Sequence, residues 1–146
     1  MHFESAFKTD VGSKRKQNQD NGQAIPEMGC FIVADGMGGH NGGETASALA
    51  VEVVASIIAK GVSLPGWDAR HLLKNAIEKA SEAIHARATS DPTLHQMGTT
   101  TVALLFQGGK VFIGNVGDSR CYYIRPGSIC SSAAITPWFR KSFEQV

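Results

Sequence analysis

The sequence predicts an α+β domain built on antiparallel sheet, from three observations. Two long stretches with helical apolar spacing, 44–60 and 68–87, stand side by side in mid-chain. Strand-like runs lie before and after this pair rather than alternating with the helices, which argues against a βαβ order. The two strand runs at 99–106 and 110–116 are joined only by Gln107-Gly108-Gly109, a hairpin-length connection that makes them antiparallel neighbours.

In chain order, residues 3–9 (F-E-S-A-F-K-T) nearly alternate and predict a strand with one wet face. The polar segment V-G-S-K-R-K-Q-N-Q-D-N-G that follows predicts a loop for much of its length. Residues 30–34 (C-F-I-V-A) form a short continuous apolar run, expected to be a strand buried on both faces. In 44–60, Ala46, Leu49, Ala50, Val53, Ile57 and Ile58 keep the i, i+3, i+4 rhythm, and Gly61 is placed to stop the helix. In 68–87, Leu72, Leu73, Ala76, Ile77, Ala80 and Ile84 make the stripe, Asp68 stands at the N-cap, and Ser90-Asp91-Pro92 lies past the end. After the glycine hairpin, residues 120–124 predict a third strand, leaving Gly117-Asp118-Ser119 as a turn. No internal repeat or low-complexity segment interrupts this order.

Composition narrows the function classes. The chain has 146 residues, enough for one domain with a core, and is 42% hydrophobic and 18% charged with a net charge of +1. That balance gives no electrostatic case for nucleic acid or an anionic membrane surface. No apolar run is expected to reach the ~20 residues of a spanning helix, and the opening M-H-F-E-S-A-F-K-T-D is charged too early for a secretory signal. Cys30, Cys121 and Cys130 are odd in number and lack metal-ligand spacing. They are expected to be reduced thiols of a cytoplasmic protein, the first two in the core.

Three aspartates share one local pattern. Asp20 closes N-Q-D and opens D-N-G, Asp35 follows C-F-I-V-A and opens D-G-M-G-G, and Asp118 follows K-V-F-I-G-N-V-G and opens D-S-R. Each stands where a strand meets a turn of small residues. Carboxylates gathered at one sheet edge suit Mg²⁺ or Mn²⁺, which take oxygen ligands, and a glycine after Asp35 would free a backbone carbonyl to turn toward the ion. Each residue also has a plainer reading. Asp-Gly is a common turn dipeptide, Arg15 in K-R-K-Q could belong to a solvated basic loop, and His40 could be a surface residue after glycines. Gly38, Gly39, Gly42 and Gly43 could form a phosphate cradle, although neither nucleotide-loop pattern, G-x-x-x-x-G-K-[ST] or G-x-G-x-x-G, is present.

Taken together, five strings carry a resemblance: R-x-x-N-Q-D at 15–20, V-A-D-G-M-G-G-H at 33–40, G-E-x-A-S at 43–47, M-G-T-T at 97–100 and G-D-S-R at 117–120. In this order and spacing the chain resembles the bacterial branch of the PPM, or type 2C, metal-dependent serine/threonine protein phosphatases, over about residues 11–125. The resemblance implies a β-sandwich of two antiparallel sheets flanked by helix pairs. It implies hydrolysis of phosphoserine and phosphothreonine on proteins by a metal-activated water, with two Mn²⁺ or Mg²⁺ ions and a third, looser site. Residue by residue, it implies Asp20 as ligand of the first metal and Asp35 as the carboxylate bridging both. The Gly36 carbonyl would be a ligand of the second metal, and Asp118 a ligand of the third. Arg15 would grip the substrate phosphate. Gln19 stands where other branches have a carboxylate, and Met37 where animal-type members have a histidine proposed as general acid. His40 is not assigned that duty. A phosphoprotein substrate and a serine/threonine kinase pathway are the implied partners.

The resemblance stops near Ile129, so residues 1–129 are expected to be the N-terminal part of a PPM domain and 130–146 a tail outside the pattern. The family's later D-H-S, D-G-[LV] and D-N-x-T motifs, which bring two further metal-binding aspartates, have no counterpart here. Back-translation of the tail in the frame that starts at the last base of codon 130 permits Q-L-S-R-D-H-S-L, the family's continuation. A one-base frame shift there is the expectation, which DNA sequencing across codon 130 checks. With that tail, low or absent activity and poor stability are expected. The alternative reading is a non-catalytic pseudophosphatase that binds a phosphoprotein without turnover.

Overall fold

The computed structural model of the protein describes residues 2–14, 16–38 and 42–131; Arg15, His40 and residues 132–146 of the tail lie outside them. β1 (Asp20–Ile25) enters a 3-10 turn at Pro26–Met28 and returns as β2 (Cys30–Met37). Proline suits the first position of that turn, where its missing N–H is not needed. Gly29 closes it at φ +61°, a conformation that costs residues with a Cβ.

β2 differs from the sequence expectation in two respects. It does not end at Ala34 but runs on through Asp35, Gly36 and Met37, because the short β3 (Gly98–Thr99) pairs with Gly36 and Met37. It is also buried on one face only. Cys30, Ile32, Ala34 and Gly36 point inward, and Phe31, Val33, Asp35 and Met37 alternate outward, with Val33 43% exposed. An apolar run of this length does not by itself tell a fully buried strand from a half-buried one.

α1 (Gly42–Val62) and α2 (Ala69–Ser90) are longer than their patterns suggested and pack on each other and on the inner sheet face. In α1 the buried line is Ala46, Ser47, Ala50, Val51, Val54, Ala55 and Ile58. It is rotated from the predicted stripe, so Leu49, Val53 and Ile57 are only half-buried. Gly61 does not stop α1; it lies inside the helix and is buried, and a Cβ there would meet the Leu72 side chain at 2.2 Å. Its role is close helix contact. α1 is long and apolar enough by composition to cross a membrane, contrary to the sequence expectation. Ten of its residues are nevertheless buried against the sheet and α2, the setting of a core helix.

The cap of α2 is as predicted: the Asp68 carboxylate accepts from the His71 N–H at 2.9 Å. Asp68→Ala is expected to cost about 1 kcal/mol of stability, read as a shift in the urea midpoint with an unchanged slope. An unchanged midpoint would show that the bond contributes nothing net.

β4 (Thr101–Gln107) and β5 (Lys110–Val116) form the predicted hairpin. Gln107 pairs with Lys110, and Gly108 and Gly109 both take positive φ, +59° and +77°. That two-residue turn matches the twist of the strands. The main sheet has the order β1-β2-β4-β5, with β3 added to the end of β2. Ile32, Val54, Ile58, Leu73 and Leu105 fill the layer between sheet and helices, each no more than 2% exposed. Burial pushes the Cys30 thiol up to about 11, as befits a core cysteine. Cys121 is half-buried and Cys130 exposed.

Two predicted strands behave differently. The one expected at 120–124 forms β6 (Tyr122–Arg125), but it pairs with β7 (Ser128–Ser131) as a separate ribbon rather than extending the sheet beside β5. Residues 3–9 make no ladder pairing. They contact the outer sheet face through side chains: Phe3 packs on Phe31 and Phe106 with ring centroids 5.5 and 4.6 Å apart. Phe7, Val33, Val102, Leu104 and Tyr122 line a groove of about 270 Å³ on that same face. Among the described residues the fold is thus α+β, with one helix layer on the main antiparallel sheet and a separate β6–β7 ribbon.

Candidate metal centre

The outer face of the sheet carries the acidic pair. In the β1–β2 ladder Asp20 lies directly opposite Asp35, and both are exposed. Opposite residues in an antiparallel pair share a face with Cβ atoms about 5 Å apart, so the two carboxylates stand side by side.

Local chemistry holds each one. The Asn18 side chain accepts from the Asp20 N–H at 3.0 Å and donates to Thr9 Oγ1 at 2.7 Å. This is an Asx-type turn that starts β1 at the carboxylate. Thr9 Oγ1 in turn lies 3.4 Å from Asp20 Oδ2. On β2, the Asp35 N–H donates to Thr100 Oγ1 at 3.1 Å, and the Asp35 carbonyl accepts from the Thr100 N–H at 2.9 Å. The Thr99 hydroxyl is 3.0 Å from that same carbonyl.

Gly36 is needed for space. Its φ is not in the left-handed region. A Cβ there would sit 2.0 Å from the Gly43 carbonyl oxygen and 2.5 Å from the Gln19 carbonyl oxygen. The expected freedom of the carbonyl to turn is therefore not what requires glycine; contact of β2 with the first turn of α1 does. The Gly36 N–H donates to the Gln19 carbonyl at 3.0 Å, and Gln19 Nε2 donates to the Gly38 carbonyl at 3.2 Å. Gly43 answers Gly36, since a Cβ on it would lie 2.9 Å from Gly36 C and 2.8 Å from Gln19 Cδ. Of the four glycines considered for a phosphate cradle, Gly43 is thus occupied in backbone packing, and Gly39 lies outside the described residues.

Asp118 is exposed in the turn between β5 and β6 and does not join Asp20 and Asp35 in a cluster. Among the described residues no group of three or more His, Cys, Asp or Glu side chains could hold a metal ion. Two carboxylates paired on one sheet face are an all-oxygen donor pair, which fits a hard divalent cation that keeps waters in its shell. Met37 is 65% exposed on the same outer face as Asp35. Arg120 turns toward Tyr122, with Nη1 3.5 Å from the hydroxyl. Thr99, Thr100 and Ser119 belong to the site without having been singled out from sequence, although the M-G-T-T and G-D-S-R strings contained them.

The Protein phosphatase 2C family profile matches residues 12–135, which takes in the acidic pair, the glycine contact and the Asp118 turn. The chain belongs to the protein phosphatase 2C family.

Among its relatives, the chain is 37% identical over 124 residues to the serine/threonine protein phosphatase PstP of Mycobacterium tuberculosis, covering 85% of this chain and 23% of that protein. It is 37% identical over 129 residues to the serine/threonine phosphatase stp of Listeria monocytogenes, covering 86% of this chain and 50% of that protein. The crystal structure of the PstP catalytic domain in complex with two manganese ions superposes with a TM-score of 0.77 at 35% identity. That match covers 86% of this chain and 53% of that one. The chain thus spans between 23% and about half of the length of the curated relatives it matches. The structural neighbours are PPM phosphatases, so the α+β order corresponds to part of the protein phosphatase 2C fold.

Proposed function

We propose that the protein is a PPM-type phosphatase acting on phosphoserine and phosphothreonine in proteins, dependent on Mn²⁺ or Mg²⁺. The observation that carries this reading is the register that sets Asp20 opposite Asp35 on the outer sheet face, beside Gly36. Asp20, Asp35 and the Gly36 carbonyl would hold two ions, and Asp118 a third, looser one. Bound there, such ions lower the pKa of water and offset the charge of phosphoryl oxygens. The chain's own contribution is positional: β1 and β2 present the carboxylates at fixed separation, and the Thr99 and Thr100 bonds keep the end of β2 from shifting. Arg15, five residues before Asp20, is proposed to grip the phosphate by paired guanidinium bonds. A kinase pathway that supplies the phosphoprotein and a cytoplasmic location, supported by three free cysteines, complete the proposal. So does the division at residue 129 into a family part and a tail.

One observation favours a second reading. Only two acidic side chains converge among the described residues, which suits a module that binds a phosphoprotein without turning it over. One assay separates the two: phosphate release from a phosphothreonine peptide by this chain, with Mn²⁺ and with EDTA. Slow release that needs Mn²⁺ at about millimolar concentration, as befits an open carboxylate site, is the expected result. Peptide binding without release supports the second reading. No release and no binding by folded protein would exclude both.

A further inference from the structure

The Asp118 turn does not reach the acidic pair directly, but a hydroxyl pair connects them. Thr100 Oγ1, which accepts the Asp35 N–H at 3.1 Å, lies 2.6 Å from Ser119 Oγ. Having accepted from Asp35, the threonine hydroxyl can give its own proton to Ser119. Ser119 is the residue after Asp118, and its carbonyl accepts from Asn115 Nδ2 at 2.9 Å, which ties the turn back to β5. The contact is also steric. Gly117 has φ +96°, and a Cβ there would meet Thr100 Cγ2 at 2.7 Å. Thr100 itself is 9% exposed and sits between β3 and β4, so it has little room to change rotamer.

We propose that Thr100 and Ser119 are positioning residues that couple the carboxylate end of β2 to the Asp118 turn, so that the two acidic positions move and take up metal as one unit. This rests on the phosphatase reading for its metal part only; the mechanical link is a property of the metal-free chain. Linked side-chain bonds behave as units when one partner fixes the other's orientation, and these two are part-buried.

The test uses the 146-residue chain and the variants Thr100→Val, Thr100→Ser, Ser119→Ala and the double variant Thr100→Val/Ser119→Ala. Hydrogen exchange at the Asp35 amide, without metal, reports the bond to Thr100. Ser119→Ala leaves that bond's own atoms in place, yet is expected to speed exchange there about fivefold. Thr100→Ser, which keeps the hydroxyl, is expected to exchange like the parent. Mn²⁺ affinity, read from the free-ion electron paramagnetic resonance signal, is expected to fall about tenfold in Thr100→Val and in Ser119→Ala. It should fall no further in the double variant. Additive losses, or an Asp35 amide indifferent to Ser119→Ala, would overturn the coupling. Equal loss of melting temperature with neither effect would show a purely structural role. A parent chain that binds no Mn²⁺ removes the phosphatase reading, and the exchange result then decides the coupling by itself.

Discussion

Gly36→Ala is expected to destabilise the protein by about 3 kcal/mol or more, the upper range for overpacking a filled core. The added Cβ would lie 2.0 Å from Gly43 O, 2.5 Å from Gly43 C and 2.5 Å from Gln19 O. All three are backbone atoms and none can rotate away. Relief requires β2 to part from the first turn of α1, and that motion breaks the Gly36 N–H bond to Gln19 O. Against a domain stability of about 5–15 kcal/mol, the loss is large. Gly98→Ala is the control, because the atoms its Cβ would meet, at 2.9 and 3.5 Å, belong to the exposed, flexible side chain of Met37. It should cost under about 1 kcal/mol, since the obstruction can swing aside. Urea unfolding of both variants decides the matter: equal midpoints would end the packing account of Gly36.

Asp35→Asn is expected to separate stability from metal binding. Asp35 is exposed, so neutralising it should change the stability of the metal-free protein by under about 1 kcal/mol. Asparagine keeps the backbone N–H and carbonyl that Thr100 engages, and the fold is therefore retained. With 10 mM Mn²⁺ and a dissociation constant of about 1 mM, the parent should gain about 1.4 kcal/mol, a rise of several degrees in melting temperature. The variant should gain none. Thermal melting of parent and variant with EDTA and with Mn²⁺ measures both effects. A variant that still responds to Mn²⁺ would show that Asp35 is not a ligand.

Much of the fold was legible because its signals are local. The Asp68 cap, most of the α2 stripe (Leu73, Ala76, Ile77 and Ala80 buried, Leu72 and Ile84 half-buried) and the Gly108-Gly109 turn depend on residues within a few positions of one another, and they occur as predicted. The candidate ligand Asp20 was legible as a strand-end carboxylate and Asp35 as the carboxylate after an apolar run, although β2 continues past it to Met37, and the five motifs carried the family. Other features depended on partners remote in sequence. Residues 3–9 alternate like a strand, yet alternation cannot supply a neighbouring ladder, and they meet the sheet by side chains alone. Gly61 read as a stop because nothing in its own segment revealed Leu72 against it. The rotated stripe of α1 has the same origin: with apolar residues on most sides of the helix, the sheet and α2 choose which are covered.

The sequence by itself determined the class of the fold, the order of its elements, the family and the acidic residues, since these are written in periodicity, caps and short motifs. Only the tertiary structure decided that Asp20 and Asp35 are register partners, that Gly36 answers a helix backbone, and that a threonine from one motif joins a serine from another. Each of those facts is a contact between different elements or loops, with partners 15, 7 and 19 positions apart. Its distance is set by how sheet and helices pack, a quantity that no local window of the chain contains.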